Sequence, residues 1–138
     1  MMHPGWGFSF SREDIETCKQ NNGLLTMELE LSRECNLRCI YCYANSGDRI
    51  IDELSYEEVI SAIDQAVELG ARKIVVLGGG EPLCYPRIFE VLNYLHDKNV
   101  EIELFTNGML ITREAAQTFI HLGVKPVIKM NSFRPEVQ

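Results

Sequence analysis

Over residues 25–31 the chain alternates strictly, with Leu25, Met27, Leu29 and Leu31 apolar and Thr26, Glu28 and Glu30 polar between them. A period of two places successive side chains on opposite faces, so this stretch predicts a strand with one buried face. The period then changes. Val59, Ile60, Ile63 and Val67 recur at helical spacing behind Ser55-Tyr-Glu-Glu58, where Ser55 can cap the helix and Glu58 can reach back to complete a capping box. Gly70 stands where such a helix should stop. Lys73-Ile-Val-Val-Leu77 follows as a short apolar run, the form taken by a parallel strand buried on both faces.

The alternation of elements continues to the end of the chain. Residues 87–98 predict a helix with Ile88, Val91, Leu92 and Leu95 on one face, and residues 100–105 predict a third strand. Thr112 can cap a further helix through Ala115, Phe119 and Leu122 that stops at Gly123, and residues 125–130 predict a fourth strand. Ahead of the first strand, Ser11 can cap a short helix through Asp14, Ile15 and Cys18 that ends near Asn21-Asn22-Gly23. The expected organisation is an N-terminal extension over residues 1–23 and an α/β core over residues 24–138. Strands and helices in this alternation specify a parallel sheet with right-handed crossovers. A closed eight-unit barrel takes about 250 residues, roughly 31 per unit, so four units make at most half of one.

Composition narrows the function without naming it. A length of 138 residues with 46% apolar content suits one folded domain. Thirteen basic against twenty acidic residues give a net charge of −7, scattered rather than blocked, which disfavours non-specific nucleic-acid binding. The first ten residues lack the charged start and apolar core of a signal peptide. No apolar run approaches the roughly 20 residues that span a bilayer. Five cysteines, an odd number with three clustered, suit a reducing compartment better than a disulfide framework. A soluble cytoplasmic protein is the expectation.

The clustered cysteines carry the chemistry. Cys35-Asn-Leu-Arg-Cys39-Ile-Tyr-Cys42 places three thiols in the spacing Cys-x3-Cys-x2-Cys, directly after the first predicted strand. Iron–sulfur clusters are normally held by four cysteine thiolates, so three on one loop leave an iron of a [4Fe–4S] cube open to another ligand. Zinc, with Cys84 or a histidine as fourth ligand, is the alternative, but the second paired half of a structural zinc site is missing. Gly78-Gly79-Gly80-Glu81-Pro82 follows the second strand, and Thr106-Asn107-Gly108 follows the third. A run of glycines lets a ligand approach the backbone closely. An ordinary glycine turn or a phosphate loop would use glycines too, yet this run matches neither common phosphate fingerprint. All three loops leave the C-terminal ends of strands, the edge at which α/β folds place their ligand sites.

Together these motifs resemble the radical S-adenosylmethionine (SAM) superfamily. Its Cys-x3-Cys-x-aromatic-Cys loop is matched by Cys35, Cys39, Tyr41 and Cys42, its Gly-Gly-Glu-Pro motif by Gly79, Gly80, Glu81 and Pro82, and its frequent Thr-Asn-Gly by Thr106, Asn107 and Gly108. The resemblance extends over residues 25 to about 132. It implies a partial barrel in which Cys35, Cys39 and Cys42 ligate three irons and SAM chelates the fourth. It further implies that one electron from the cluster cleaves SAM to methionine and a 5′-deoxyadenosyl radical, which abstracts hydrogen from a substrate.

By the same resemblance, the glycine strip receives the amino group of SAM with Glu81 as acceptor. Tyr41 lies near the adenine, and Thr106 and Asn107 contact SAM. In the stretch Lys129-Met-Asn131-Ser132, where relatives carry a Ser-x-Asp-like contact, Asn131 and Ser132 are the candidates. Cys18 and Cys84 fall outside the pattern and are expected to be free thiols, and the three histidines to be surface residues. Expected partners are an electron donor such as flavodoxin or ferredoxin and an unidentified peptide or small-molecule substrate. The family's partial barrel runs beyond four units. A fragment of a longer product is therefore expected, ahead of a truncated relative or a subunit completed by a partner. A non-catalytic iron–sulfur or SAM-binding module is the alternative to an enzyme.

Overall fold

A computed structural model describes residues 10–134 of the chain, so the first nine residues of the expected N-terminal extension lie outside the described part. The elements run α1 (Arg12–Gln20), β1 (Thr26–Glu30), α2 (Tyr56–Glu68), β2 (Lys73–Leu77), a 3-10 turn (Pro82–Cys84), α3 (Ile88–Asp97), β3 (Glu101–Thr106), α4 (Arg113–Leu122) and β4 (Val124–Ile128). The four strands form one parallel sheet in the order β1-β2-β3-β4. The α/β class and the parallel sheet are as the periodicities require.

Helix ends follow their caps. Ser55 Oγ accepts from the Glu58 N–H at 3.2 Å while Glu58 accepts from the Ser55 N–H at 2.7 Å, the reciprocal pair anticipated from the motif. Ser11 and Asp14 form the same device at the start of α1. Three strands differ from their predicted limits, β1 being shorter by one residue at each end. β3 is displaced by one residue and takes in Thr106, and β4 starts at Val124 and ends at Ile128 rather than spanning residues 125–130. Gly123 terminates α4 in the left-handed conformation (φ 68°), which turns the chain straight into pairing at Val124. Pairing fades beyond Ile128 because β3 has ended opposite it, at Thr106.

Sequential strand order with right-handed crossovers puts every crossover helix on one face of the sheet. That face is the core. Met27, Ile74, Ile102 and Val124 lie in register across the four strands, and Leu29, Val76 and Leu104 belong to the same packed cluster. Val59 and Ile63 of α2, Val91, Leu92 and Leu95 of α3, and Phe119 and Leu122 of α4 close over them. Burying a side chain of this size stabilises by about 1.5–3 kcal/mol.

The opposite face carries Glu28 and Glu30 of β1, Lys73, Val75 and Leu77 of β2, Glu101, Glu103 and Phe105 of β3, and Lys125 and Val127 of β4, by alternation from the registered pairs. Its lower part is ionic. Lys73 Nζ, nearly buried, lies 2.6 Å from Glu103 and 3.4 Å from Glu101, and Lys125 reaches Glu101 at 2.9 Å. A buried lysine persists only with such partners. β4 is the edge. The Lys129 N–H donates to the Thr106 carbonyl at 2.9 Å, so alternate residues Lys125 and Val127 face β3 and Pro126 turns its missing donor outward.

Candidate functional site

The cysteine loop is held at its base before it reaches the cavity. The Cys35 N–H donates to the Gly47 carbonyl at 3.0 Å, and the Gly47 N–H donates to the Arg33 carbonyl at 2.9 Å, so the loop closes back on itself. Glu53 fixes its entry. One carboxylate oxygen accepts from the Ser32 hydroxyl (3.0 Å), the Arg33 N–H (2.8 Å) and the Ile50 N–H (3.3 Å), and the other accepts from Arg49 at 2.8 Å. Burial pushes this carboxyl up, but the Arg33 N–H, the Ser32 hydroxyl and its other donors outweigh it and hold the group below the usual carboxylate range.

The glycine loop is laid against the cysteine loop by two backbone bonds. The Gly80 N–H donates to the Ser32 carbonyl and the Glu81 N–H to the Glu34 carbonyl, both at 2.8 Å. Approach is so close that a Cβ on Gly80 would overlap the Glu34 carbonyl oxygen, and one on Gly78 would overlap the Gly80 carbonyl oxygen. Part of the reason for glycine here is therefore packing of backbone on backbone, independent of any ligand.

Glu81 then ties in the third loop. Its side chain accepts from the Leu83 N–H at 3.1 Å and the Thr106 hydroxyl at 2.7 Å on one oxygen, and from the Asn107 N–H at 2.7 Å on the other. The residue is only 3% exposed. Asn107 Nδ2 in turn donates to Asn36 Oδ1 on the cysteine loop at 2.8 Å. Three loops far apart in sequence are thus stitched into one wall.

They enclose an open cavity of about 290 Å³ at the C-terminal edge of the sheet. Cys35, Cys39 and Cys42 line it together with Gly78, Gly79, Gly80, Glu81, Thr106 and Asn107. Leu77, Phe105 and Val127, neighbours on the sheet face opposite the helices, form its apolar floor. Tyr41, Pro82, Asn131 and Ser132, also singled out from the sequence, do not line it. Pro82 is buried as the first residue of the 3-10 turn. Asn131 donates to the Tyr41 hydroxyl beside the cavity, where Lys129 Nζ sits 5.8 Å from the Tyr41 ring centre.

Sequence reasoning passed over Tyr43, Ser46 and the floor residues, and it named Lys129 without counting it among the candidates. The floor was recoverable from the alternation of residues around Leu77, Phe105 and Val127. Ser46 had no signal. Its hydroxyl lies 3.1 Å from Cys42 Sγ and its N–H also bonds there, which together hold the Cys42 thiol below its ordinary range and favour the thiolate. The Tyr43 phenol, though largely exposed, is pushed up by partial desolvation and by the neighbouring Glu30 carboxylate. Cys84 is a free thiol next to the site. Burial raises it, while a hydrogen bond from the Asn36 backbone acts the other way.

All five cysteines are free, and three of them share one cavity wall. Among the described residues no three His, Cys, Asp or Glu side chains converge on a point that would hold a single metal ion. A cubic cluster is held at three separate irons, so its thiols spread around it rather than meet. Three cysteine thiols on one loop are a donor set that suits three irons of such a cluster.

A family model described as the radical SAM superfamily matches residues 29–138. The chain belongs to the radical SAM superfamily. Relatives within it include the AdoMet-dependent heme synthase of Methanosarcina barkeri, 36% identical over 97 residues that make up 70% of this chain and 28% of that protein. The probable GTP 3′,8-cyclase of Thermococcus kodakarensis is 32% identical over 114 residues, 80% of this chain and 36% of the relative. Among solved structures, Streptococcus suis SuiB bound to its precursor peptide SuiA superposes with a TM-score of 0.72 at 22% identity, covering 91% of this chain and 29% of SuiB. This radical SAM chain therefore spans roughly a third or less of the length of these three proteins. Among the described residues no helix is long and apolar enough to cross a membrane.

Proposed function

We propose that this radical SAM chain holds a [4Fe–4S] cluster through Cys35, Cys39 and Cys42 and binds SAM against the glycine and Asn107 loops. One observation carries the reading: the three thiols, the glycine strip and Asn107 line the same cavity, although they come from three different strand ends. When bound, the pair supplies a 5′-deoxyadenosyl radical, formed by one-electron reductive cleavage of SAM, that abstracts hydrogen from a substrate.

The chain's own residues do the positioning. Ser46 bonds to the Cys42 sulfur and favours its thiolate, the form that binds iron. The bare backbone over residues 78–80 lets a ligand amine approach carbonyl groups without a side chain between them. Thr106 and Asn107 hold the third side of the cavity, and Leu77, Phe105 and Val127 give it a dry floor that shields a reactive species from water. Tyr41, next to Cys42 in the chain and bonded to Asn131, would meet the outer part of SAM or the substrate, with Ser132 following in the same stretch. Cys39 and Ile40 stand exposed at the loop tip, which suits access by a one-electron donor such as flavodoxin or ferredoxin. SuiB is seen with a precursor peptide, and a peptide is one substrate class this cavity would admit, a small molecule the other.

The test is anaerobic reconstitution with iron and sulfide, followed by electron paramagnetic resonance after reduction and analysis for 5′-deoxyadenosine once SAM and dithionite are added. A reduced-cluster signal that SAM perturbs, with 5′-deoxyadenosine formed, is expected. A cluster signal that responds to SAM without 5′-deoxyadenosine would identify a cluster- and SAM-binding module instead. No cluster at all would overturn the ligand assignment.

A further inference from the structure

We propose that Glu81 is a positioning residue that locks the three loops together, and that it is not itself the acceptor for the ammonium group of a bound ligand. The inference rests on the reading of the cavity as a SAM site, and it departs from the role that the Gly-Gly-Glu-Pro resemblance suggests for this side chain.

The geometry points inward. A carboxylate offers about four acceptor directions, and three are already used here by the Leu83 N–H, the Thr106 hydroxyl and the Asn107 N–H. At 3% exposure the residue gives little surface to the cavity it borders. Each donor comes from a different structural position: Leu83 from the turn after the glycines, Thr106 from the last residue of β3, and Asn107 from the loop beyond it. The Glu81 N–H meanwhile donates to the Glu34 carbonyl on the cysteine loop.

One residue therefore joins the cysteine loop, the glycine loop and the end of β3, and Asn107 closes the triangle by its bond to Asn36. The Thr106 hydroxyl also accepts from the Gly108 N–H at 3.0 Å, so the third loop hangs from the same pair of side chains. Charge-assisted bonds of this kind are about twice as strong as neutral ones, and leaving one partner buried without the other is costly. Such a knot sets the shape of the cavity before any ligand arrives.

Two measurements on the full chain test this. In the cluster-free protein, amide hydrogen exchange at Asn107 and Leu83 is followed in wild type, Glu81→Gln, Thr106→Val and Thr106→Ser. In the reconstituted protein, SAM binding is titrated for the same set and for the Glu81→Gln/Thr106→Val double variant. Removing one charge-assisted bond should speed exchange at Asn107 by about tenfold or more in Glu81→Gln. SAM affinity should fall in both Glu81→Gln and Thr106→Val, although Thr106 offers an ammonium no charge. The double variant should be no weaker than the worse single, and Thr106→Ser, which keeps the hydroxyl, should bind like wild type.

Exchange unchanged in Glu81→Gln would overturn the lock. Loss of affinity in Glu81→Gln with Thr106→Val binding normally would make Glu81 a direct ligand and overturn the inference. A wild-type protein with an intact cluster that binds no SAM would remove the SAM reading. It would overturn the claim about the ammonium with it, while the exchange measurement would still decide the lock on its own.

Discussion

The side-chain amide of Asn107 donates to the side-chain oxygen of Asn36 at 2.8 Å, joining residues 71 positions apart. The orientation is consistent around the pair, because Asn107 Oδ1 accepts from the Met109 N–H at 3.0 Å and leaves Nδ2 free to donate. Asn36 directly follows the first cysteine, and Asn107 directly follows the last residue of β3. The cysteine loop and the loop after β3 are therefore coupled to each other.

Asn36→Ala removes the acceptor without disturbing the Asn107–Met109 bond. Both side chains of the pair are partly exposed, so unfolding stability should drop by no more than about 1 kcal/mol. Affinity for SAM should fall severalfold in the reconstituted protein, as read by titration calorimetry. Unchanged affinity would show that the coupling does not shape the cavity.

Cys39→Ala should abolish the [4Fe–4S] signal in electron paramagnetic resonance after reconstitution, because two thiols on the loop no longer hold three irons. Cys84→Ala should leave it intact, although Cys84 lies beside the site. An intact signal in the first variant would refute the ligand assignment.

Glu53→Gln gives a pH-dependent loss of stability. The folded-state carboxyl lies below its ordinary value, so its contribution is complete above the unfolded-state pKa and disappears as pH falls through the depressed folded-state value. Urea unfolding should show the variant less stable by about 2 kcal/mol at neutral pH, since the Arg33 N–H and Ser32 hydroxyl lose a charged acceptor. The gap should close as the pH is lowered well below 4.5, the ordinary value for this group. A gap that persists in acid would place the effect in packing rather than charge.

Gly80→Ala and Gly123→Ala should differ sharply. At Gly80 the new Cβ overlaps the Glu34 carbonyl, so the two loops must separate, with loss of ligand binding beyond any loss of stability. At Gly123 nothing lies within 4 Å, and the cost is the left-handed backbone alone, about 1 kcal/mol in thermal or urea unfolding. Equal effects of the two on SAM binding would count against the close approach of the loops.

The fold was legible because its signals are local. The caps at Ser11, Ser55 and Thr112, the stop at Gly123 and the apolar spacing of Ile88, Val91, Leu92 and Leu95 act between residues a few positions apart, and the structure keeps all of them. The cysteine spacing, the glycines and the Thr-Asn-Gly were equally plain, together with the edge of the sheet on which they meet. Register was not. A strand slipped by two residues keeps its faces and its alternation, yet it would separate Thr106 from Glu81 and Lys73 from Glu103.

The sequence by itself determined the class of fold, the family and the three loops that meet at the cavity, because periodicity and motif spacing are properties of neighbouring positions. Tertiary structure alone decided that Glu81 bonds to Thr106 and Asn107, that Glu53 holds the entry of the cysteine loop, and that Gly80 is packed against Glu34. Those pairings depend on how four strands stack in register, and hydrogen-bond partners across a sheet edge are chosen by distance in space, which no local pattern encodes.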